Sequence, residues 1–287
     1  MIDVKNYQTY YICNYVSNLL TDRFTFLRFL HEFYEGSLPS LIRPFEKYSV
    51  LHQFIDFVVR DFFEEQCHEV DLEKRFALVE EHKDSPAAIR ELDPYRLPVE
   101  RALGYYGIEH QTFVEYLEEN GKRFVESDAD DIYEYLSEIT LTGEFPDLTE
   151  RMAKEAFHIL FQDRELLLLF SDMMAAALEH APELSQDEDA SDLLTKKGTL
   201  KRQPPPKWAR RAVFYRDRGR CVLCRRDLTG LVSLVNQENF DHIVPLAEFG
   251  FNDISNLQLL CKECNQKEKS SNRAITSSLY ESWYDYE

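Results

Sequence analysis

The stretch FDHIVPLAEFGFNDISNLQLLCKECNQKEK, residues 240–269, contains the polar side chains that decide the fold of the C-terminal part of the chain. It holds His242, the only histidine in the last third of the sequence, directly after Asp241. A neutral imidazole can accept a proton from water near neutral pH, and a carboxylate can bind a divalent cation. An Asp-His pair by itself favours a structural histidine, so the neighbouring residues decide whether this stretch is an active site or only a zinc-bound loop.

Four cysteines form two Cys-x-x-Cys pairs, Cys221 with Cys224 and Cys261 with Cys264. Four thiolates at this spacing predict one tetrahedral zinc site, which stabilises a domain of only about 80 residues. Because sulfur fills all four positions, such a zinc ion cannot activate water, so we expect it to be structural. The alternative is four unrelated thiols.

The composition of the 287-residue chain favours a folded protein whose two parts have different partners. Hydrophobic residues make up 44% of the sequence, which excludes disorder for most of its length. Residues 1–195 carry a net charge of −24, whereas residues 196–287 carry +5. Phosphate groups attract the basic part and repel the acidic one, so the basic part is the candidate for nucleic-acid binding.

The periodicity of apolar residues predicts an acidic helical domain over residues 1–183, a linker over 184–206, a small α+β domain over 207–280 and an acidic aromatic tail over 281–287. Within the small domain, FDHIV has the composition of a strand, and we expect a helix from NLQLL onward. The sequence contains no leader-like segment and no apolar run long enough for a membrane. We therefore expect a cytoplasmic protein with reduced thiols and no membrane contact.

The order C-x-x-C, D-H-I-V-P and N-L-Q-L-L-C-x-x-C-N, over about residues 207–273, resembles the HNH endonuclease family. The resemblance implies a ββα-metal fold, in which two strands and a helix hold one divalent cation. It also implies that His242 is the general base and that Asp241 and Asn265 bind a catalytic Mg²⁺ or Mn²⁺ ion. Asn256 then matches the middle position of the motif and is a further candidate catalytic residue.

The function implied by this resemblance is a metal-dependent DNA endonuclease with a one-metal, His general-base mechanism, and RNA is not excluded as substrate. The layout is similar to that of effectors in anti-phage defence or restriction. The alternative is an inactive zinc-stapled nucleic-acid-binding module, or an acidic interaction subunit of a larger complex. In many family members a lysine follows three residues after the last asparagine, whereas this chain has Glu268 there, flanked by Lys267 and Lys269.

Basic residues around the cysteine pairs predict the surface that binds the phosphate backbone, although a solvated charged face is the alternative. They are Arg210, Arg211, Arg216, Arg218, Arg220, Arg225, Lys262, Lys267, Lys269 and Arg273. For the acidic helical part we expect a regulatory, sensor or oligomerisation role, through a protein partner or self-association.

Overall fold

The computed structural model describes residues 8–35, 37–82, 95–230, 238–268 and 273–279. Most of the described chain is helical, and a small antiparallel sheet lies near its C-terminal end. The chain divides into two compact units. One comprises residues 1–12 and 55–155, and the other comprises residues 13–54 and 156–287.

The α-helices are α1 (Thr9–Thr21), α2 (Leu27–Tyr34), α3 (Leu38–Leu41), α4 (Val50–His68), α5 (Leu72–His82), α6 (Pro98–Tyr105), α7 (Phe113–Glu119), α8 (Ala129–Thr142), α9 (Glu144–Leu160), α10 (Arg164–Glu179), α11 (Glu188–Ser191), α12 (Lys207–Arg216) and α13 (Lys262–Glu268). The strands are β1 (Glu238–His242) and β2 (Leu257–Cys261).

The unit of residues 1–12 and 55–155 is built around buried aromatic side chains. Phe113 packs against Tyr135, with ring centroids 5.4 Å apart, and both residues are fully buried. Several of its helices begin at side-chain caps, as in α8, where the Asp128 carboxylate accepts hydrogen bonds from two backbone N–H groups. Helix α8 ends at Gly143, whose φ of +104° is accessible to glycine at little cost.

In the second unit, the stretch predicted as a linker contains short elements and buried apolar side chains. A 3₁₀ turn covers Pro182–Gln186, α11 follows, and an antiparallel bridge joins Leu194 to Leu200. Leu184 and both leucines of the bridge are buried. Residues 184–206 therefore contribute to the core of this unit, while the predicted domain boundaries stay a prediction.

The C-terminal segment forms a ββα arrangement, which confirms the predicted fold class of a helical protein with a small α+β part. Strands β1 and β2 are antiparallel, with Asp241 opposite Gln258 and His242 opposite Leu257. Helix α13 follows β2 directly and packs against both strands.

The prediction that the helix already covers NLQLL is wrong, because Leu257–Cys261 is a strand and the helix begins only at Lys262. Every residue of β2 is buried, so its sequence is a short apolar run without alternation. Periodicity cannot distinguish such a run from a buried helical segment. The predicted tail, residues 281–287, lies outside the described residues.

Candidate active site and metal centre

The four cysteines of the two Cys-x-x-Cys pairs converge on one point. Their sulfur atoms all lie within 4.8 Å of one another, and the Sγ atoms of Cys224 and Cys261 are 3.7 Å apart. A tetrahedral zinc ion with Zn–S bonds of about 2.3 Å requires sulfur atoms roughly 3.8 Å apart, which matches this spacing. The cluster can therefore hold a structural metal ion and is consistent with zinc.

The first cysteine pair is attached to the sheet through backbone hydrogen bonds. The N–H of Cys221 donates to the carbonyl of Arg226, and the N–H of Arg225 donates back to the carbonyl of Cys221 at 2.8 Å. The N–H of Val222 donates to the carbonyl of Leu259 in β2 at 3.0 Å. Because β2 ends at the second cysteine pair, these bonds bring the two pairs together.

Asp241 and His242 are the last two residues of β1, and both line a cleft of about 390 Å³. Successive side chains of a strand point to opposite faces, so a shared cleft requires the strand to end or bend here. The structure meets this requirement, since β1 ends at His242 and Pro245 follows in a non-strand segment.

The imidazole of His242 is 6% exposed, and its Nε2 atom has no hydrogen-bond partner among the described residues. Burial, together with the positive charge of Arg202, lowers the pKa of His242 to about 4, although a hydrogen bond between the imidazole and the Asn252 side chain acts in the opposite direction. The imidazole is therefore neutral near pH 7, the form in which it can accept a proton.

Asn256 is fully buried, and among the described residues its side chain hydrogen-bonds to backbone groups. Its Oδ1 accepts from the N–H of Val244 at 2.8 Å, and its Nδ2 donates to the carbonyls of Val244 and Phe251. These hydrogen bonds fix the backbone at Val244, two residues after His242 at the end of β1. The geometry supports a positioning role for Asn256, through the end of β1.

Asn265 lies on α13 and is 6% exposed. Its Oδ1 atom is buried and has no hydrogen-bond partner among the described residues. Leaving such an acceptor unpaired is costly, and an amide oxygen is a ligand that Mg²⁺ and Mn²⁺ accept. Asn265 therefore fits a cation ligand, although it is not among the described residues that form the cleft wall.

Arg216, one of the predicted phosphate-binding residues, lies in the interior with 2% exposure. Its guanidinium donates two hydrogen bonds of 2.9 Å to the buried carboxylate of Asp217 and one to the carbonyl of Leu257. Asp217 also accepts from the N–H of Leu259 at 2.9 Å. The Arg216–Asp217 ion pair thus hydrogen-bonds to two backbone groups of β2. The charge of Arg216 is therefore not available to a phosphate at the surface.

The other predicted phosphate-binding residues differ in their exposure. Most of them are exposed, namely Arg210, Arg211, Arg218, Arg225, Lys262, Lys267 and Arg273, and Arg220 is half-buried. Arg273 also lines the cleft of Asp241 and His242. Lys269 and the side chain of Glu268 lie outside the described part of the structure.

The cysteine cluster, the ββα arrangement and the Asp-His cleft occur together in one segment. Residues 221–271 match the HNH endonuclease family model. This match confirms the resemblance seen in the sequence and gives the chain an HNH domain near its C-terminal end, for which the family indicates a nuclease-type function and nucleic-acid binding. No curated protein and no solved structure gives a significant match to the chain. In the part of the chain that the structure describes, every helix is too short or too polar to span a bilayer.

Sequence reasoning did not single out Arg202, Asn252 or Asp217 as residues of this region. Arg202 and Asn252 lie beside the Asp-His cleft, and Asp217 supports β2. Asp217 stands directly after Arg216 in a run of basic residues, and that isolated carboxylate was the one available signal. Nothing in the sequence places Arg202 beside Asp241, because the two residues are 39 positions apart and meet only through the tertiary fold.

Proposed function

We propose that this protein is a metal-dependent endonuclease that hydrolyses phosphodiester bonds in DNA through the HNH domain. The observation that carries the proposal is the placement of Asp241 and a neutral, buried His242 in one cleft within the family-matched residues. A general base and a carboxylate ligand at one site are what hydrolysis of a phosphodiester requires.

In this mechanism His242 takes a proton from a water molecule through Nε2, the atom that has no partner among the described residues. The water oxygen then forms a bond to phosphorus as the bond from phosphorus to the 3′ oxygen breaks. The departing oxygen takes up a proton from solvent, which leaves 5′-phosphate and 3′-hydroxyl ends. Asp241 and Asn265 would hold a Mg²⁺ or Mn²⁺ ion, which supplies positive charge for the phosphate and the leaving oxygen.

The test compares the wild-type protein with His242→Ala on supercoiled plasmid DNA and on single-stranded RNA, with Mg²⁺ or Mn²⁺. Loss of a general base slows hydrolysis by about 10² to 10⁴, so the variant should be at least roughly 100-fold slower on the cleaved substrate. His68→Ala is the matched control, because His68 is an exposed histidine outside the HNH domain, and we expect it to cleave at the wild-type rate.

Zinc content and DNA binding should be unchanged in His242→Ala, because neither depends on the imidazole. A wild-type protein that binds DNA but cuts neither nucleic acid with either metal would refute the proposed nuclease. Equal rates for wild type and His242→Ala would refute the assignment of the base.

The wider role of the chain is also a proposal. A nuclease joined to a strongly acidic part with a net charge of −24 is consistent with an effector whose activity is regulated by that part, as in anti-phage defence. The acidic part would bind a basic protein partner or a second copy of the chain. Sedimentation of the full-length protein with and without magnesium and DNA tests self-association, and a monomer under all conditions would exclude it.

A further inference from the structure

The cleft of Asp241 and His242 has one wall that the family-matched residues do not provide. Residues 195 and 199–202 line it, and they precede the matched segment by about twenty positions along the chain. This wall belongs to the stretch that the sequence predicts as a linker. It contributes two cationic side chains to the cleft, Lys201 and Arg202.

The wall is a short turn with its own hydrogen bonds. Leu194 and Leu200 form an antiparallel bridge, and the N–H of Thr195 donates to the carbonyl of Thr199 at 2.7 Å. The two threonine hydroxyls lie 2.9 Å apart, within hydrogen-bond distance. Both leucines are buried, so the turn is anchored in the core of its unit.

Asn252 fixes the backbone on both sides of Arg202. Its Nδ2 donates to the carbonyl of Lys201 at 2.9 Å, and its Oδ1 accepts from the N–H of Gln203 at 3.2 Å. Asn252 is buried and its side chain also contacts the imidazole of His242. One amide thus sets the position of Arg202 relative to the candidate general base.

Arg202 lines the cleft, and more than half of its side-chain surface is exposed to solvent. Its Nη2 atom is 3.7 Å from Oδ1 of Asp241, which is beyond hydrogen-bond distance, and the side chain is 56% exposed. Lys201 differs, because its ammonium group donates to the carbonyl of Asp192 at 2.8 Å. Of these two neighbouring cations, Arg202 is the one whose charged group is directed at the candidate catalytic residues.

We propose that Arg202 binds the scissile phosphate in the HNH cleft and stabilises the charge that develops on it during hydrolysis. The guanidinium fork matches two oxygens of a phosphate group and binds them in a bidentate manner. A cation bound to Asp241 would weaken the attraction of this carboxylate for Arg202, and the guanidinium would then be available to the substrate. This inference rests on the proposed nuclease function and adds a residue from outside the family-matched segment.

The experiment measures single-turnover cleavage of plasmid DNA by the full-length protein with Mn²⁺, for wild type, Arg202→Ala, Arg202→Lys and Lys197→Ala. Removing a donor that stabilises transition-state charge slows a reaction by about 10² to 10³, so Arg202→Ala should be roughly 100-fold slower at saturating DNA. Arg202→Lys should fall between wild type and Arg202→Ala, because it keeps the charge but loses the bidentate geometry. Lys197→Ala is the matched control and should stay within about twofold of wild type, because Lys197 is an exposed cation of the same turn that does not line the cleft.

If Arg202→Ala cleaves DNA at the same rate as Lys197→Ala, the proposal is overturned. A faster Arg202→Ala with higher Mn²⁺ affinity would overturn it as well, since Arg202 would then act by competing for Asp241. Both outcomes require a wild-type protein that cuts DNA and a His242→Ala variant that does not, so they differ from failure of the nuclease proposal itself. Equal zinc content and equal circular dichroism among the four proteins exclude a general loss of folding.

Discussion

The buried pair of Arg216 and Asp217 gives the sharpest stability prediction, because the substitution Asp217→Asn keeps the size of the side chain and removes its charge. The carboxylate of Asp217 accepts three hydrogen bonds of 2.9 Å, two from Arg216 and one from the N–H of Leu259 in β2. Both charged side chains have no exposed surface. The variant removes the negative charge that faces the buried guanidinium of Arg216 and that of Arg164, 3.6 Å away, and it turns an amide donor toward other donors.

Removing one partner of a buried ion pair costs about 3 to 5 kcal/mol, because the remaining charge stays desolvated. We therefore expect Asp217→Asn to lower the free energy of unfolding by about this amount, measured by urea denaturation followed by circular dichroism at 222 nm. Asp172→Asn is the matched control in the same unit. Asp172 pairs with Arg23 at 2.9 Å, but the two side chains are 53% and 30% exposed, and such pairs contribute about 0 to 1 kcal/mol.

The reasoning also predicts the double variant Arg216→Met with Asp217→Asn. Its loss of stability should be smaller than that of Asp217→Asn alone, because one of the two buried cations beside position 217 is then gone and only Arg164 remains. A cost for Asp217→Asn within about 1 kcal/mol of Asp172→Asn would refute the account. So would a double variant that is less stable than the single one, because the cost would then come from lost packing and hydrogen bonds to β2.

Two further predictions concern the metal centre and the helical part of the chain. Cys224→Ser should abolish bound zinc, as measured by elemental analysis of purified protein. Cys67→Ala is the control and should retain zinc, because Cys67 lies outside the sulfur cluster. Zinc at wild-type stoichiometry in Cys224→Ser would contradict the proposed metal site. Glu100→Gln should lower the free energy of unfolding by about 1 to 3 kcal/mol, because each oxygen of the buried Glu100 carboxylate accepts from a different backbone N–H and an amide can satisfy only one of them. Glu115→Gln is its control and should unfold near the wild-type urea concentration, because a single exposed oxygen of Glu115 accepts the hydrogen bonds from Thr112 and an amide oxygen can replace it. Equal losses of stability for the two variants in urea denaturation would contradict the argument.

Short-range patterns predicted the parts of the HNH domain that depend on spacing along the chain. The prediction of one metal site required only that the two Cys-x-x-Cys pairs lie close together. In the structure their sulfur atoms lie within 4.8 Å of one another. Asp241 and His242 could share a cleft only if the strand ended at these residues, and Pro245 predicted such an end. The sequence could not separate β2 from a helix, because a fully buried strand has no alternating pattern.

The basic residues illustrate where a sequence pattern stops being informative. Arg210, Arg211 and Arg216 occur in one short helical stretch and look alike as members of a charge run. Helix α12 exposes the first two and turns the third into the interior, where Asp217 neutralises it. A charge run gives the number of cations, whereas the direction of each one depends on what its helix packs against.

The amino-acid sequence by itself determined which chemical groups this protein carries: four thiols at a spacing that can hold a metal ion, a histidine beside a carboxylate, and opposite net charges in its two parts. These features depend on residue type and local spacing, which the chain carries however it folds. The tertiary structure alone decided that Arg202, 39 positions before Asp241, lies at the same cleft, and that Asn252 fixes it there. Contacts between residues so far apart arise from the packing of separate elements, and no local pattern in the sequence encodes them.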